Sequence, residues 1–160
     1  MRNPTYPLAL LFLALIASGC SKSKTCSPKS VAGEATQIQA FATSSGMNAT
    51  QHSSGLFYEI VDPGSGATAT LNSNIAITYT GTLLNGTIFD QQTTPNNTAS
   101  NPPWPLGQLI EGWRLGIPLI KEGGHIKLIV PSAMAYGCTG YGIIPADAIL
   151  YFDITLVDVQ

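Results

Sequence analysis

Three stretches of the chain alternate between large apolar and small or polar residues, the two-residue period of a half-buried strand. Ile75, Ile77 and Tyr79 share one face of the first, and Ile126, Leu128 and Val130 share one face of the second. Leu150, Phe152, Ile154 and Leu156 share a face of the third, which runs from Ile149 to Val159. Leu56 to Val61 reads as a further strand, stopped by the turn residues Asp62-Pro63-Gly64-Ser65-Gly66. Thr87 to Asp90 reads as a short return strand. Asn85-Gly86 before it predicts a hairpin with a type I′ turn, which needs positive φ at both central residues. The hairpin brings Tyr79 and Phe89-Asp90 onto neighbouring antiparallel strands.

Helical signal is sparse. Trp113 to Ile117 predicts one brief helix, ended by Pro118, whose missing N–H cannot continue it. Pro102 to Gly107 is too proline-rich for a central strand and suits a sheet edge. Gln91 to Asn101 and Pro131 to Asp147 read as long loops, and Ile143-Ile144 in the second fit a loop folded over an apolar site. About five strands and one short helix predict an α+β domain, a twisted antiparallel sheet wrapped around the helix, over residues 55–160. Ser21 to Ser54 is small and polar. Val31, Ile38 and Phe41 with nearby alanines are compatible with one short helix, yet residues 20–54 read as a flexible tether.

Composition narrows the function classes. Charged residues make up only 10% of the chain and the net charge is −2, so no basic patch tracks a nucleic-acid backbone. Residues 1–19 read as a secretory leader: Arg2 precedes an apolar run, Leu8 to Ala17, too short for the about 20 residues of a spanning helix. Its end, Ala17-Ser18-Gly19-Cys20, resembles a bacterial lipobox, in which Cys20 would be acylated and become the mature N-terminus. An ordinary signal peptide with an incidental cysteine is the alternative. Ser21, where an Asp would favour inner-membrane retention, points to an outer-membrane anchor facing the periplasm. Cys26 and Cys138 are left over; an oxidising compartment permits a bridge, but spacing does not decide it. No Cys-x-x-Cys is present, against thiol oxidoreductase chemistry. His52 has no companion ligands nearby, so no metal site is expected. Asn48-Ala49-Thr50, Asn85-Gly86-Thr87 and Asn96-Asn97-Thr98 fit the glycosylation pattern and are read as chance.

The candidate site is an apolar pocket. Tyr79 to Asp90 forms its rim and Leu109-Ile110-Glu111-Gly112-Trp113 its floor. Six ordered segments then carry a resemblance: Tyr-Thr-Gly-x-Leu (79–83), Gly-x-x-Phe-Asp (86–90), Ile-x-Gly-Trp (110–113), Ala-Tyr-Gly (135–137), Gly-Ile-Ile-Pro (142–145) and Phe-Asp-Ile-x-Leu (152–156). Together they resemble the FKBP-type peptidyl-prolyl cis-trans isomerases. The resemblance implies a sheet curled around a short helix and a pocket of Tyr79, Phe89, Asp90, Leu109, Ile110, Trp113, Tyr136, Ile144 and Phe152, with Tyr141 on the rim. Trp104 falls where the family often has Phe. The chain departs from compact relatives in its short Gly107 to Leu109 stretch, and Ser73-Asn74 replaces a common Gly-Asp. The resemblance also implies proline-containing polypeptides as substrates, macrolide inhibitors, no cofactor, and a monomer, since Ser21 to Ser54 is too short for the helical dimerisation domain of some relatives.

The implied roles follow from the reaction. Trp113 would floor the prolyl ring, Tyr79, Phe89, Ile110 and Phe152 would wall it, Tyr136 would donate to a substrate carbonyl, and Asp90 would position substrate or the tyrosines. Plain core packing is the alternative for the aromatics, and a turn-closing carboxylate for Asp90. Cys138 has no base in reach by sequence and is not read as a nucleophile. Two other classes remain distinguishable by assay: a non-catalytic chaperone or binding module on the same fold, and an all-β adhesin or solute-binding lipoprotein.

Overall fold

The computed structural model describes residues 26–160. The chain runs α1 (Val31–Ser44), β1 (Thr50–Gln51), β2 (Phe57–Asp62), β3 (Asn74–Leu83), β4 (Ile88–Gln92), β5 (Trp104–Pro105), α2 (Glu111–Gly116), β6 (His125–Val130) and β7 (Leu150–Val159). The strands form one 7-stranded sheet in the order β1-β2-β6-β7-β3-β4, with β5 also paired to β3. Every pairing is antiparallel. The longest joins β3 to β7, from Ile75 opposite Val159 to Leu83 opposite Leu150. The expected α+β architecture, a sheet against a short helix, is what the chain adopts.

One sheet face carries the alternating residues that the sequence singled out. Ile75, Ile77, Ile126, Leu128, Val130, Leu150, Ile154 and Leu156 are all fully buried. Trp113 and Ile117 pack on them from α2 and the 3₁₀ turn after it. Helix α2 can press this close because Gly112 and Gly116, one helical turn apart, meet β6. A Cβ on Gly112 would lie 2.5 Å from Cγ1 of Val130, and one on Gly116 2.7 Å from Cδ1 of Leu128. This contact sets the depth of Trp113 beneath the sheet.

The tether reading does not hold for its described part. Residues 31–44 form a 14-residue helix, and Ser30 caps it by accepting the Gly33 N–H at 3.1 Å. Ile38 and Ala42, both at 0% exposure, seal the opposite sheet face together with Met47, Phe57, Ile129 and Ile149. Phe41 meets Tyr151 edge-on at 5.6 Å. The contact stripe is narrow, so small or polar residues occupy most of the helix and hide it in the composition. Thr50–Gln51 then adds an edge strand to β2. The leader and Cys20 lie outside the described residues.

Two local features also differ from the expectation. At the β3–β4 hairpin only Gly86 has positive φ, at 86°. The Leu83 carbonyl accepts from Gly86 at 2.9 Å and the Leu83 N–H donates to Thr87 at 2.9 Å. The loop is therefore the three-residue kind closed by a glycine, not a type I′ turn. In the supposedly featureless loop after β4, Asn96 is fully buried. Its Oδ1 accepts the Ile77 N–H at 2.8 Å, and its Nδ2 donates to the carbonyls of Ile75 at 3.1 Å and Pro102 at 3.3 Å. Asn96 thus acts as a missing strand on the edge of β3, in the gap between β4 and β5. Asn96→Leu is expected to cost about 2–4 kcal/mol in urea unfolding, because it strands buried backbone groups.

Candidate active site

The sheet, α2 and the loop after β6 enclose a cavity of about 410 Å³. Tyr79 from β3, Phe89 and Asp90 from β4, Leu109, Ile110 and Trp113 from the approach to and start of α2, Tyr136 from the loop, and Phe152 from β7 all line it. These come from five separate parts of the chain. Their rings meet edge to face, a preferred geometry for aromatic pairs. Tyr79 and Trp113 lie 4.9 Å apart at 82°, and Trp113 and Phe152 5.1 Å apart at 80°. Phe89 meets Phe152 at 5.6 Å and 89°. Gly81 makes this possible: a Cβ there would sit 2.7 Å from Cζ of Phe89 and 3.0 Å from Cε1 of Phe152. The Thr-Gly of the first motif is thus a space requirement of the cage. The indole N–H of Trp113 is buried with no hydrogen-bond partner among the described residues. Such burial costs about 1–3 kcal/mol, and here it accompanies a flat apolar floor.

Polar groups are few and placed. The Tyr79 hydroxyl donates to Oδ2 of Asp90 at 2.5 Å, and Oδ1 of Asp90 accepts the Gln91 N–H at 2.9 Å. Burial first, then the hydrogen bond and charge of Asp90, push the Tyr79 phenol well above its usual range. The Tyr136 phenol is also pushed up, by burial first and then by the charges of Asp90 and Tyr141. Its hydroxyl has no hydrogen-bond partner among the described residues, which leaves it a neutral donor facing the cavity. Both phenols have raised pKa values, so neither deprotonates before an ordinary tyrosine would. Activity that uses them is expected to show no alkaline fall until above about pH 10, checked by a kcat/KM profile. Stability follows the same sign. Tyr151, pushed up to about 12 by burial and then by Asp153 and Glu59, contributes fully below the unfolded value and loses its contribution as pH rises through about 12.

Two residues of the implied pocket do not reach its wall. Ile144 is 6% exposed and packs into the main core, held by reciprocal backbone bonds with Tyr141. Tyr141 is 70% exposed and stacks on the Tyr136 ring at 5.3 Å and 14°, so it backs the donor from outside. Three others line the cavity without having been named for it: Trp104, Pro105 and Gln108. The signal for Trp104 was its place on the expected edge strand. Pairing of Trp104 with Ile75 puts its ring 6.2 Å from Tyr79. Gln108 enters because the short Gly107 to Leu109 stretch turns at once into the floor. On the outer side of β6, His125 meets Asp153 at 2.5 Å.

The family model for FKBP-type peptidyl-prolyl cis-trans isomerase matches residues 66–157. The chain belongs to that family. It is 37% identical over 123 residues to FkpA of Aeromonas hydrophila, covering 77% of this chain and 44% of that protein. It is 33% identical over 148 residues to a probable FKBP-type isomerase of Haemophilus influenzae, covering 91% of this chain and 59% of the relative. The crystal structure of FkpA from Escherichia coli superposes with a TM-score of 0.68 at 33% identity, over 79% of this chain and 59% of that one. The chain thus spans about 44–59% of the length of these relatives.

Proposed function

We propose that the chain is an active peptidyl-prolyl cis-trans isomerase that accelerates rotation of Xaa-Pro bonds in polypeptides folding outside the cytoplasm. One observation carries this reading: an apolar cavity of about 410 Å³, walled by aromatic rings, whose few polar groups include a paired phenol–carboxylate and an unpaired phenol. The barrier to amide rotation is about 18–20 kcal/mol and comes from resonance that places negative charge on the carbonyl oxygen. A dry, apolar site disfavours that planar dipolar form relative to the twisted one. A millionfold acceleration needs only about 8 kcal/mol. No covalent bond is made or broken, so the chemistry calls for no nucleophile, metal or cofactor.

In this mechanism Trp113 floors the prolyl ring, and Tyr79, Phe89, Leu109, Ile110 and Phe152 wall it. Tyr136 donates to a substrate carbonyl, and Asp90 holds the Tyr79 hydroxyl out of the amide's way. Trp104 closes the side toward the sheet edge. Tyr141 steadies Tyr136, and Ile144 anchors the loop beneath them. The same cavity takes the macrolide inhibitors of the family. The test is a Leu-Pro peptide assay: an exchange rate no faster than the uncatalysed one would leave only a binding role. The exposed Tyr141 and Ile143, at 70% and 64%, favour that second reading, a module that holds unfolded chains without turning them over.

The cysteines support a location outside the cytoplasm. The Cys26–Cys138 disulfide suits an oxidising compartment and leaves Cys20 free for acyl chains. Cys20 precedes Cys26 by six residues, so a lipid there would keep Cys138, in the Tyr136 loop, within about 30 Å of the membrane surface. An outer-membrane anchor facing the periplasm and a monomeric state complete the reading. The mass of membrane-extracted protein tests the anchor, and its sedimentation in detergent tests the monomer.

A further inference from the structure

The N-terminal segment is fastened to the loop behind the cavity at two independent points. Cys26 and Cys138 are disulfide-bonded with their Cα atoms 5.6 Å apart, and Cys138 lies two residues past Tyr136. On α1, Glu34 is 2% exposed, and its Oε2 accepts the Ser132 N–H at 2.8 Å. Ser132 opens the 3₁₀ turn Ser132–Met134 that leads directly into Ala135 and Tyr136. Glu34 is not needed as a cap for its own helix, because Ser30 fills that role. Burying a carboxylate against a distant loop is costly and calls for a reason.

That loop needs outside support. Gly137, Gly140 and Gly142 all have positive φ, at 55°, 68° and 55°. Glycines lose the most backbone freedom on ordering, so a stretch with three of them is easily displaced. Its own ties are short-range backbone bonds, beside the anchor that Ile144 makes in the core. The Gly140 N–H donates to the Tyr136 carbonyl at 3.2 Å and the Asp147 N–H to the Gly137 carbonyl at 2.8 Å. Among the described aromatic rings the Tyr136 ring stacks on Tyr141 of the same loop, and its side chain packs at the edge of the main core.

We propose that the N-terminal segment is a working part of the site: Glu34 and the Cys26–Cys138 bridge are positioning groups that hold the Tyr136 hydroxyl where substrate meets it. The inference rests on the isomerase reading. Without the two ties the loop spends part of its time displaced, and apparent affinity falls with the competent fraction. The loss is one of population and not of chemistry, so it falls on KM and spares kcat.

The test uses the full chain, a protease-free assay with a Leu-Pro tetrapeptide anilide, and circular dichroism to show that each variant is folded. The Cys26→Ser/Cys138→Ser pair and, separately, Glu34→Ala are expected to raise KM about five- to tenfold with kcat within about twofold. Glu34→Gln keeps an oxygen acceptor for the Ser132 N–H and is expected to restore KM to within about twofold. Hydrogen exchange is expected to quicken over residues 132–142. A variant that does not fold is replaced by Glu34→Asp or by native protein reduced in place. In that reduction a dithiol gives two electrons and two protons to the bridge and itself becomes a disulfide. Unchanged KM in folded protein overturns the proposal, and so does a loss confined to kcat. A native chain with no activity overturns the isomerase reading instead. The positioning role is then read from the peptide's Kd by tryptophan fluorescence, where equal values for native and altered chains overturn it.

Discussion

Replacing Asp90 with valine is expected to lower kcat/KM on a Leu-Pro peptide about a hundredfold, or about 2.7 kcal/mol of transition-state stabilisation. Valine nearly matches aspartate in shape, so the change removes an acceptor and a charge while filling the same space. The acceptor matters because the Tyr79 hydroxyl, on a residue only 8% exposed, donates to Oδ2 at 2.5 Å. Left unpaired, that hydroxyl would swing toward the bound amide or draw water into the cavity. Either outcome restores to the planar amide the solvation that the dry site withholds. The unpaired hydroxyl should also lower stability by about 1–3 kcal/mol, measured separately in urea. Asp90→Asn keeps an oxygen acceptor but loses the charge, and a loss of only about tenfold is expected. Full activity in Asp90→Val would mean that the carboxylate merely closes the strand, as the plainest reading of its sequence position would have it.

How much of this was legible follows the physics of each feature. The strands β3, β6 and β7 announced themselves because one face of each is buried and period two survives in composition. The cage was legible because its members sit in short ordered motifs, and Gly81 shows why one of those motifs contains a glycine. Helix α1, which the sequence allows but ranks below a tether, is faint because its buried apolar contacts are Ile38 and Ala42 with Phe41 at their edge. Yet β6 held the clue: Leu128-Ile129-Val130 is a continuous apolar run, which signals a strand covered on both faces. A one-sided strand with a flexible tether leaves Ile129 without a partner, and α1 is that partner. Asn96 could not be read from its neighbours, because its three partners are distant in sequence or carry no side-chain signal. Tyr141 and Ile144 share one loop with Tyr136, and proximity in sequence alone does not tell which side chains turn inward.

Removing the Cys26–Cys138 bridge is expected to lower unfolding free energy by about 3 kcal/mol and the melting temperature by about 10 °C for a chain of this size. The bridge closes a loop with a sequence separation of 112, nearly the whole described domain. Chain entropy alone would give such a loop about 4–5 kcal/mol, and measured bridges commonly return less. The native contacts of α1 survive in the serine pair, because Ile38, Ala42 and Phe41 dock without it. Most of the loss therefore arises in the unfolded chain, which is freed to expand. That origin has its own signature: the urea m value should rise along with the fall in stability, since more surface is exposed on unfolding. Ile38→Ala provides the contrast. It opens a cavity under α1 at a cost of about 2–4 kcal/mol and leaves the unfolded state cross-linked, so m should not rise. If the serine pair has the same unfolding free energy in water as the native chain, the bridge adds nothing to stability. Any effect of it on KM would then report the placement of the Tyr136 loop alone.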